Sequence, residues 1–412
     1  MPPRKKSKSL ESELFSALED GDAKAVARFL EQGAPVDARN EFEQTPLMVA
    51  TDHKSPELAK LLLEHGADLH AEDGSGLTAL LTAVRSGNAP VVALLLERGA
   101  DVHHACEDDA GNHALTLAVD PNELSGDPSK AVLEALLRAG ADPNRPNAND
   151  WSPLQLAAGF DDAALTDVLL RGGADPKRGR GVGYLPIDIA DNFGHEAVKK
   201  RLLAAGSPTL EQAAQARMDR LWKQLGDWFG RKCPPYADQI ENMRPATAAQ
   251  LAALEKALSV ELTPDFLAFL RRFGGGTSNG NTPIHIFEYA VLSTKQIQDR
   301  WKGLDALRRE GTFKKSKPHD LDDTQEEVKV TWWDSGWIPF AQDGGGNLYC
   351  VDLAPGPDGS RGQVIAWEMH GGPSVPWASS LDAFFEKYLE VIEAGRTHFD
   401  GETLTRDGRW PR

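Results

Sequence analysis

A glycine follows a leucine-rich segment at Gly33, Gly66, Gly99, Gly140, Gly173 and Gly206, and this period constrains the fold more than any other feature. The successive position differences are 33, 33, 41, 33 and 33. An alanine marks a second phase, at one constant offset before the glycine, in five units: Ala17, Ala50, Ala83, Ala157 and Ala190. In the enlarged unit Ala118 stands six positions further from Gly140 than that offset, so six residues are inserted behind it and two ahead of it. Self-similarity of this length signals stacked units, because one such unit cannot bury its apolar face alone.

Each unit has its own logic. LAKLLLEHGAD, VVALLLERGAD, LEALLRAGAD and LTDVLLRGGAD place leucines at helical spacing, and the glycine supplies the left-handed residue that stops the helix. A shorter helix precedes each, opened by Thr45-Pro46-Leu47, Thr78-Ala79-Leu80, Ser152-Pro153-Leu154 or Leu185-Pro186-Ile187. Thr or Ser can cap there, and Pro fits the first turn. A polar loop of about a dozen residues joins glycine to cap.

Helix–turn–helix units with G-A-D and T-P-L markers resemble the ankyrin repeat over about residues 10–207. The resemblance implies an all-α solenoid of about six helix pairs that binds a protein. It also implies a His after T-P-L. Met48, Leu81, Thr116, Gln155 and Asp188 stand there instead, so those turns are expected to be looser. Contact residues are expected at the loop tips, where Glu41 and Glu43, Glu72 and Asp73, Glu107, Asp108 and Asp109, and Asp150 would form an acidic ridge. Phe42, Trp151 and Tyr184 are assigned to one phase just before the cap, as aromatic anchors. The inserted stretch 120–130 is a further candidate contact.

The second half differs in kind. Residues 1–209 hold 21 Lys/Arg against 33 Asp/Glu, a net of -12, whereas residues 210–412 hold 24 against 29, a net of -5. Nine of the ten tryptophans lie at or after Trp222. A helix is expected over 208–231, then helices AAQLAALEKAL and DFLAFLRRF, then TKQIQDRWKGLDALRRE, a charged loop over 314–327, strands WIPFAQ, LYCVDLA and QVIAWEM, and a last helix SLDAFFEKYLEVIEAG.

The run Trp337–Asn347 (WIPFAQDGGGN), then Tyr349–Leu353, then Gly362–Ile365, with the upstream helix pair and the closing helix, resembles the SUKH (Smi/Knr) superfamily over about 214–397. The resemblance implies an α+β protein-binding module, which in bacterial members neutralises a toxin and in fungal members regulates cell-wall assembly. The expected layout is a basic tail at 1–9, the ankyrin array at 10–207, a linking helix at 208–235, the SUKH-type domain at 236–397 and a tail at 398–412.

No enzyme, cofactor or metal is expected. DGGGN lacks the Lys-Ser/Thr ending of a phosphate loop and reads as a turn between strands. Asp343, Asn347 and Asp352 lack the ligand spacing of a calcium loop. Cys350 sits in an apolar strand, where thiols are inert. Trp332, Trp333 and Trp337 read as core and sheet edge. A net charge of -17 disfavours direct nucleic-acid binding. No run approaches a membrane span and no signal peptide is visible. Three isolated cysteines without a CxxC pair fit a reducing cytoplasm. The expected role is an immunity protein that binds a cognate toxin, basic and nuclease-like; the alternative is an ankyrin-containing scaffold or regulator of cell-wall assembly or signalling.

Overall fold

The computed structural model describes residues 9–53, 55–106, 110–121, 130–179, 183–277, 285–313, 327–399 and 404–406. Glu107, Asp108 and Asp109, most of the inserted stretch, residues 1–8 of the basic tail and most of the charged loop lie outside the described residues. The chain divides into two compact units, Met1–Pro208 and Thr209–Arg412.

The first unit is all helix. Six pairs follow one another: α1 (Leu10–Glu19) and α2 (Ala23–Glu31), α3 (Pro46–Asp52) and α4 (Pro56–Glu64), α5 (Ala79–Arg85) and α6 (Ala89–Glu97), α7 (Ala114–Val119) and α8 (Lys130–Arg138), α9 (Pro153–Gly159) and α10 (Ala163–Arg171), α11 (Pro186–Asn192) and α12 (Glu196–Ala204). The odd-numbered helices stack on one another as one layer and the even-numbered ones as a second. The leucines of the repeat fill the space between, with Leu58, Leu62, Val91, Leu95, Leu133 and Leu136 buried. All six periodic glycines adopt φ between 86° and 93°. A Cβ at any of them would meet nothing within 4 Å, so the backbone angle selects glycine there.

The turns that lack the family's His are not loose, contrary to expectation. Other atoms take over its bonds. Gln155 accepts from the Ser152 N–H through Oε1 at 3.0 Å, and its Nε2 donates to the Tyr184 carbonyl in the next unit at 3.0 Å. Thr116 Oγ1 accepts from the His113 N–H at 2.9 Å, and Asp188 Oδ2 accepts from the Leu185 N–H at 2.8 Å. The Met48 sulfur lies 3.4 Å from the Thr45 N–H. Only Leu81 brings no polar atom.

The second unit is α+β. The helix α13 (Leu210–Lys232), expected as a linker, packs on the helices of this unit. Its Trp222 lies 4.2 Å from Phe273 and 5.0 Å from Phe385, centroid to centroid. After α14 (Pro234–Asn242) come β1 (Met243–Arg244), α15 (Ala248–Leu258) and α16 (Pro264–Phe273), then β2 (Gly276–Thr277), which pairs with β1. The main sheet is an antiparallel meander in chain order. It comprises β3 (His285–Ile286), β4 (Tyr289–Val291), β5 (Trp337–Gln342), β6 (Leu348–Asp352), β7 (Gln363–Glu368) and β8 (Gly372–Ala378), with α17 (Thr294–Arg309) between β4 and β5. The edge strand β8 carries Pro373 and Pro376 and meets β7 through shifted register. The closing elements are α18 (Leu381–Glu393) and the hairpin β9 (Thr397–Phe399) and β10 (Leu404–Arg406).

The strands β5 and β6 are buried almost end to end, so both sheet faces are covered. One aromatic cluster joins Phe266 and Phe269 of α16 to Phe340 of β5 and to Phe384 and Phe385 of α18. A second joins Trp333, Trp337 and Trp367 edge to face. Asp343 and Asn347 close the β5–β6 hairpin on each other: Oδ1 accepts the Asn347 N–H at 2.8 Å and Oδ2 the side-chain amide at 2.7 Å. The glycine-rich run is thus a turn.

Beneath α18 a charged group is buried. Arg217 of α13 meets Asp382 at 2.8 Å, with 6% and 1% of their side chains exposed. Asp265 accepts the Leu381 N–H at 2.8 Å, tying the start of α16 to the start of α18. Burial and the neighbouring Asp265 push the Asp382 carboxyl up against the pull of Arg217. Burial likewise lifts Glu386 to about 7.

Candidate protein-binding site

The hairpins of the first unit put their tips at the N-terminal ends of the inner helices. Asn40, Asp73 and Asn147 occupy the same place in three of them and do the same work. Each Oδ1 accepts two backbone N–H groups across the turn: those of Phe42 and Gln44, of Ser75 and Leu77, and of Asn149 and Trp151, at 2.8 to 3.1 Å. Asp73 is therefore a turn builder, not a free member of an acidic ridge. The aspartates of the G-A-D markers are spent in the same way. Asp68, Asp101, Asp142 and Asp175 each accept the N–H two residues on, at 2.8 to 2.9 Å. Much of the array's negative charge thus shapes loops.

Glu41, Phe42, Glu43, Glu72 and Asp150 are exposed at the tips. Basic groups sit among them. Arg39 Nη1 donates to the carbonyls of both Glu43 and Glu72, and His104 Nδ1 lies 3.8 Å from Glu72 Oε1. His104 Nε2 also bonds the Gly76 carbonyl at 2.9 Å, and Arg145 Nη1 donates to the His103 carbonyl, so consecutive hairpins are stitched together. His113, buried at a cap position, bonds the Arg145 carbonyl through Nε2 at 2.9 Å; burial lowers its pKa to about 4 and keeps it neutral.

The tip residue itself is strained in a telling way. Glu43 and Asp150 adopt φ of 59° and 60°, while Gly76 and Gly183 fill the equivalent place in other units at 74° and 106°. A side chain in the left-handed region costs roughly 1–2 kcal/mol. Two units keep a carboxylate where glycine would relieve that cost.

The aromatic assignment needs correction. Trp151 and Tyr184 stand directly before the caps Ser152 and Leu185, but Phe42 is three residues before Thr45. The insertion, counted through, places Phe42 in the phase of Asn149. Phe42 is a tip residue, 67% exposed, whereas Trp151 and Tyr184 are half-buried between hairpins. The structure brings Phe42 together with Glu41 and Glu43 and sets Trp151 beside Asp150.

A second edge escaped sequence reasoning. Phe160 and Phe193 end the inner helices α9 and α11, one repeat period apart, and both are exposed. They mark the turns between inner and outer helices. The inserted stretch 120–130 follows α7 in the sequence, and its residues 122–129 lie outside the described residues. Their period was visible in the sequence, but a phenylalanine after a short helix reads as core.

In the second unit the groups with chemistry are structural. Cys350 is buried and its thiol is pushed well up by burial and by Asp352. Asp352, raised to about 6 by burial, accepts the Ala354 N–H and the Gln363 amide at 3.0 Å each. Among the described residues no group of three or more His, Cys, Asp or Glu could hold a metal ion, and no helix is long and apolar enough to cross a membrane.

A helical solenoid with a hairpin-tip edge, joined to a densely packed α+β unit, defines a protein-binding protein. Residues 14–106 match the model of ankyrin repeats (3 copies), and residues 245–387 match that of the SMI1/KNR4 family (SUKH-1): the chain carries an ankyrin array followed by a SUKH-1 domain. Neither family is known as enzymatic.

A glucan synthesis regulatory protein of Neurospora crassa is 23% identical over 212 residues, 44% of this chain and 40% of that protein. The cell wall biosynthesis/cell cycle regulator smi1 of Schizosaccharomyces pombe is 26% identical over 167 residues, 39% of this chain and 33% of that protein. The chain thus spans two fifths or less of these relatives. Among solved structures, it is similar to a chain of the Bd0816 predatory endopeptidase from Bdellovibrio bacteriovorus in complex with immunity protein Bd3460. The TM-score is 0.41 at 27% identity, over 48% of this chain and 99% of that chain.

Proposed function

We propose that the chain is a non-enzymatic immunity protein that neutralises a toxin by binding it along the hairpin-tip edge. Glu41, Phe42 and Glu43 form one contact group and Asp150 with Trp151 another; Glu72 extends the same row and Tyr184 supports it, while Glu107, Asp108 and Asp109, outside the described residues, are candidates from the sequence alone. One observation carries this reading. Glu43 and Asp150 hold carboxylates at left-handed positions where sister units use Gly76 and Gly183. Strain retained for an exposed side chain argues that the side chain is used. Acidic tips suit a basic target, nuclease-like in charge, and raise its rate of encounter. The three cysteines are free and buried, which suits a reducing compartment such as the cytoplasm.

The test is co-expression with the toxic effector encoded beside its gene, with gel filtration of the mixture. The wild-type chain should rescue growth and co-elute; Glu43→Lys with Asp150→Lys should lose both while remaining folded. Unchanged toxicity and no complex for the wild-type chain would refute the reading.

A second reading rests on the similarity to the fungal regulators: a scaffold or regulator of cell-wall assembly. Affinity capture from the native host separates the two. A scaffold retrieves several resident proteins, an immunity protein a single toxin.

A further inference from the structure

The second unit holds a cavity of about 1010 Å³ between the C-terminal ends of α15 and α17 and the connections at 329–336 and 353–361. Its walls are apolar at Leu258, Trp301 and Leu353. Trp301 is fixed, because its Nε1 donates to the Ser335 carbonyl at 2.9 Å. Next to it lies Asp305, with 3% of its side chain exposed. Its two oxygens hold two different guanidiniums. Arg308 reaches Oδ1 through Nε and Nη2, both at 2.8 Å, and Arg309 reaches Oδ2 through Nη2 at 2.7 Å. The acid is buried but the bases are not, with 40% and 71% of their side chains exposed. A buried carboxylate thus anchors two forks at the mouth and leaves each with donors to spare.

Lys302, Lys329 and Arg361 also line the cavity, giving five cations against four carboxylates in a chain of net charge -17. Of the three large apolar side chains exposed in this unit among the described residues, Leu307, Val330 and Met369, the first two are chain neighbours of lining residues.

We propose that this cavity is the docking site for an acidic peptide segment of a partner protein, with its carboxylates on Arg308 and Arg309 and an apolar side chain against Trp301. Guanidinium forks match planar carboxylates in bidentate geometry. The interspersed Glu261, Glu310 and Asp334 repel a dense polyphosphate but tolerate a segment in which charge alternates with apolar residues. The preference is opposite in sign to that of the hairpin tips, so this is a separate surface and does not rest on the immunity reading.

The experiment pans a phage-displayed library of random dodecapeptides on the full chain, then measures selected peptides by fluorescence anisotropy. Enriched peptides should be rich in Asp and Glu with interspersed Leu or Phe. They should bind Arg309→Glu and Lys302→Glu chains at least tenfold more weakly; the exposed Lys302→Glu chain should keep its thermal midpoint, whereas Arg309→Glu, which loses its contact with the buried Asp305, should melt lower and is compared at a temperature where it is folded. The Glu43→Lys/Asp150→Lys chain should bind them like wild type, which separates this surface from the tips. No enrichment, enrichment of basic peptides, or equal binding to the Arg309→Glu chain would overturn the proposal. Binding of inorganic pyrophosphate by calorimetry, lost in the Arg309→Glu chain, with no peptide enriched by panning, would assign the cavity to a small anion and overturn it equally.

Discussion

Replacing Arg217 by methionine isolates the buried charge that joins α13 to α18. Methionine keeps most of the volume but leaves Asp382, 1% exposed, without its cation. Removing one partner of a buried ion pair costs about 3–5 kcal/mol. In a unit of this size that corresponds to a fall in Tm of roughly 6–20 °C. Nine of the ten tryptophans lie in the second unit, so their fluorescence reports its unfolding. The loss should also depend on pH. Burial already pushes the Asp382 carboxyl up, and without Arg217 nothing from α13 opposes it. An acid with a raised folded pKa loses stability as pH rises through that value, so the variant should suffer more at pH 8 than at pH 5. Arg217→Met/Asp382→Leu removes the stranded charge and should recover most of the loss at pH 8. A loss below about 1 kcal/mol, or one identical at both pH values, would show that the pair contributes packing and not charge.

Further outcomes follow from the same reasoning. His113 has its pKa lowered, so its contribution is whole above about pH 6.5 and fades as pH falls toward 4; the array should lose about 2 kcal/mol between pH 7 and pH 5 by urea unfolding, and His113→Gln should abolish that slope. Glu43→Gly and Asp150→Gly should each raise array stability by about 0.5 kcal/mol while weakening partner binding; stability gained with affinity intact would remove the case for the tips. Phe269→Ala, at a buried hub touching Phe273, Phe340 and Phe385, should cost about 3–5 kcal/mol, whereas Phe42→Ala should stay within about 0.5 kcal/mol.

The two units differed in how far their sequence could be read. In the array every constraint is local and repeated. Gly33 and its five counterparts announce helix ends because only glycine sits easily at their φ. The same periodicity made Phe42 misleading, since it stands three residues before its cap where Trp151 and Tyr184 stand one before theirs. The replacement of the missing His by Gln155, Thr116 and Asp188 was also hidden: each acts through a side-chain bond that spacing alone does not encode. In the second unit the order of helices and strands follows from pattern, but Arg217 and Asp382 are 165 residues apart. Nothing in either segment marks the other, and Arg217 reads as one more basic residue on an exposed helix. Asp305 was equally silent, for an acid three residues before an arginine pair looks like a solvated helix face.

The edge strand β8 has one more implication. Pro373 and Pro376 deprive a strand of seven residues of two backbone donors, and its register with β7 is already irregular. At the other end the sheet stops at the two-residue strand β3. Among the described residues both margins are thus poor templates for a further strand, which disfavours edge-to-edge pairing between copies of the meander.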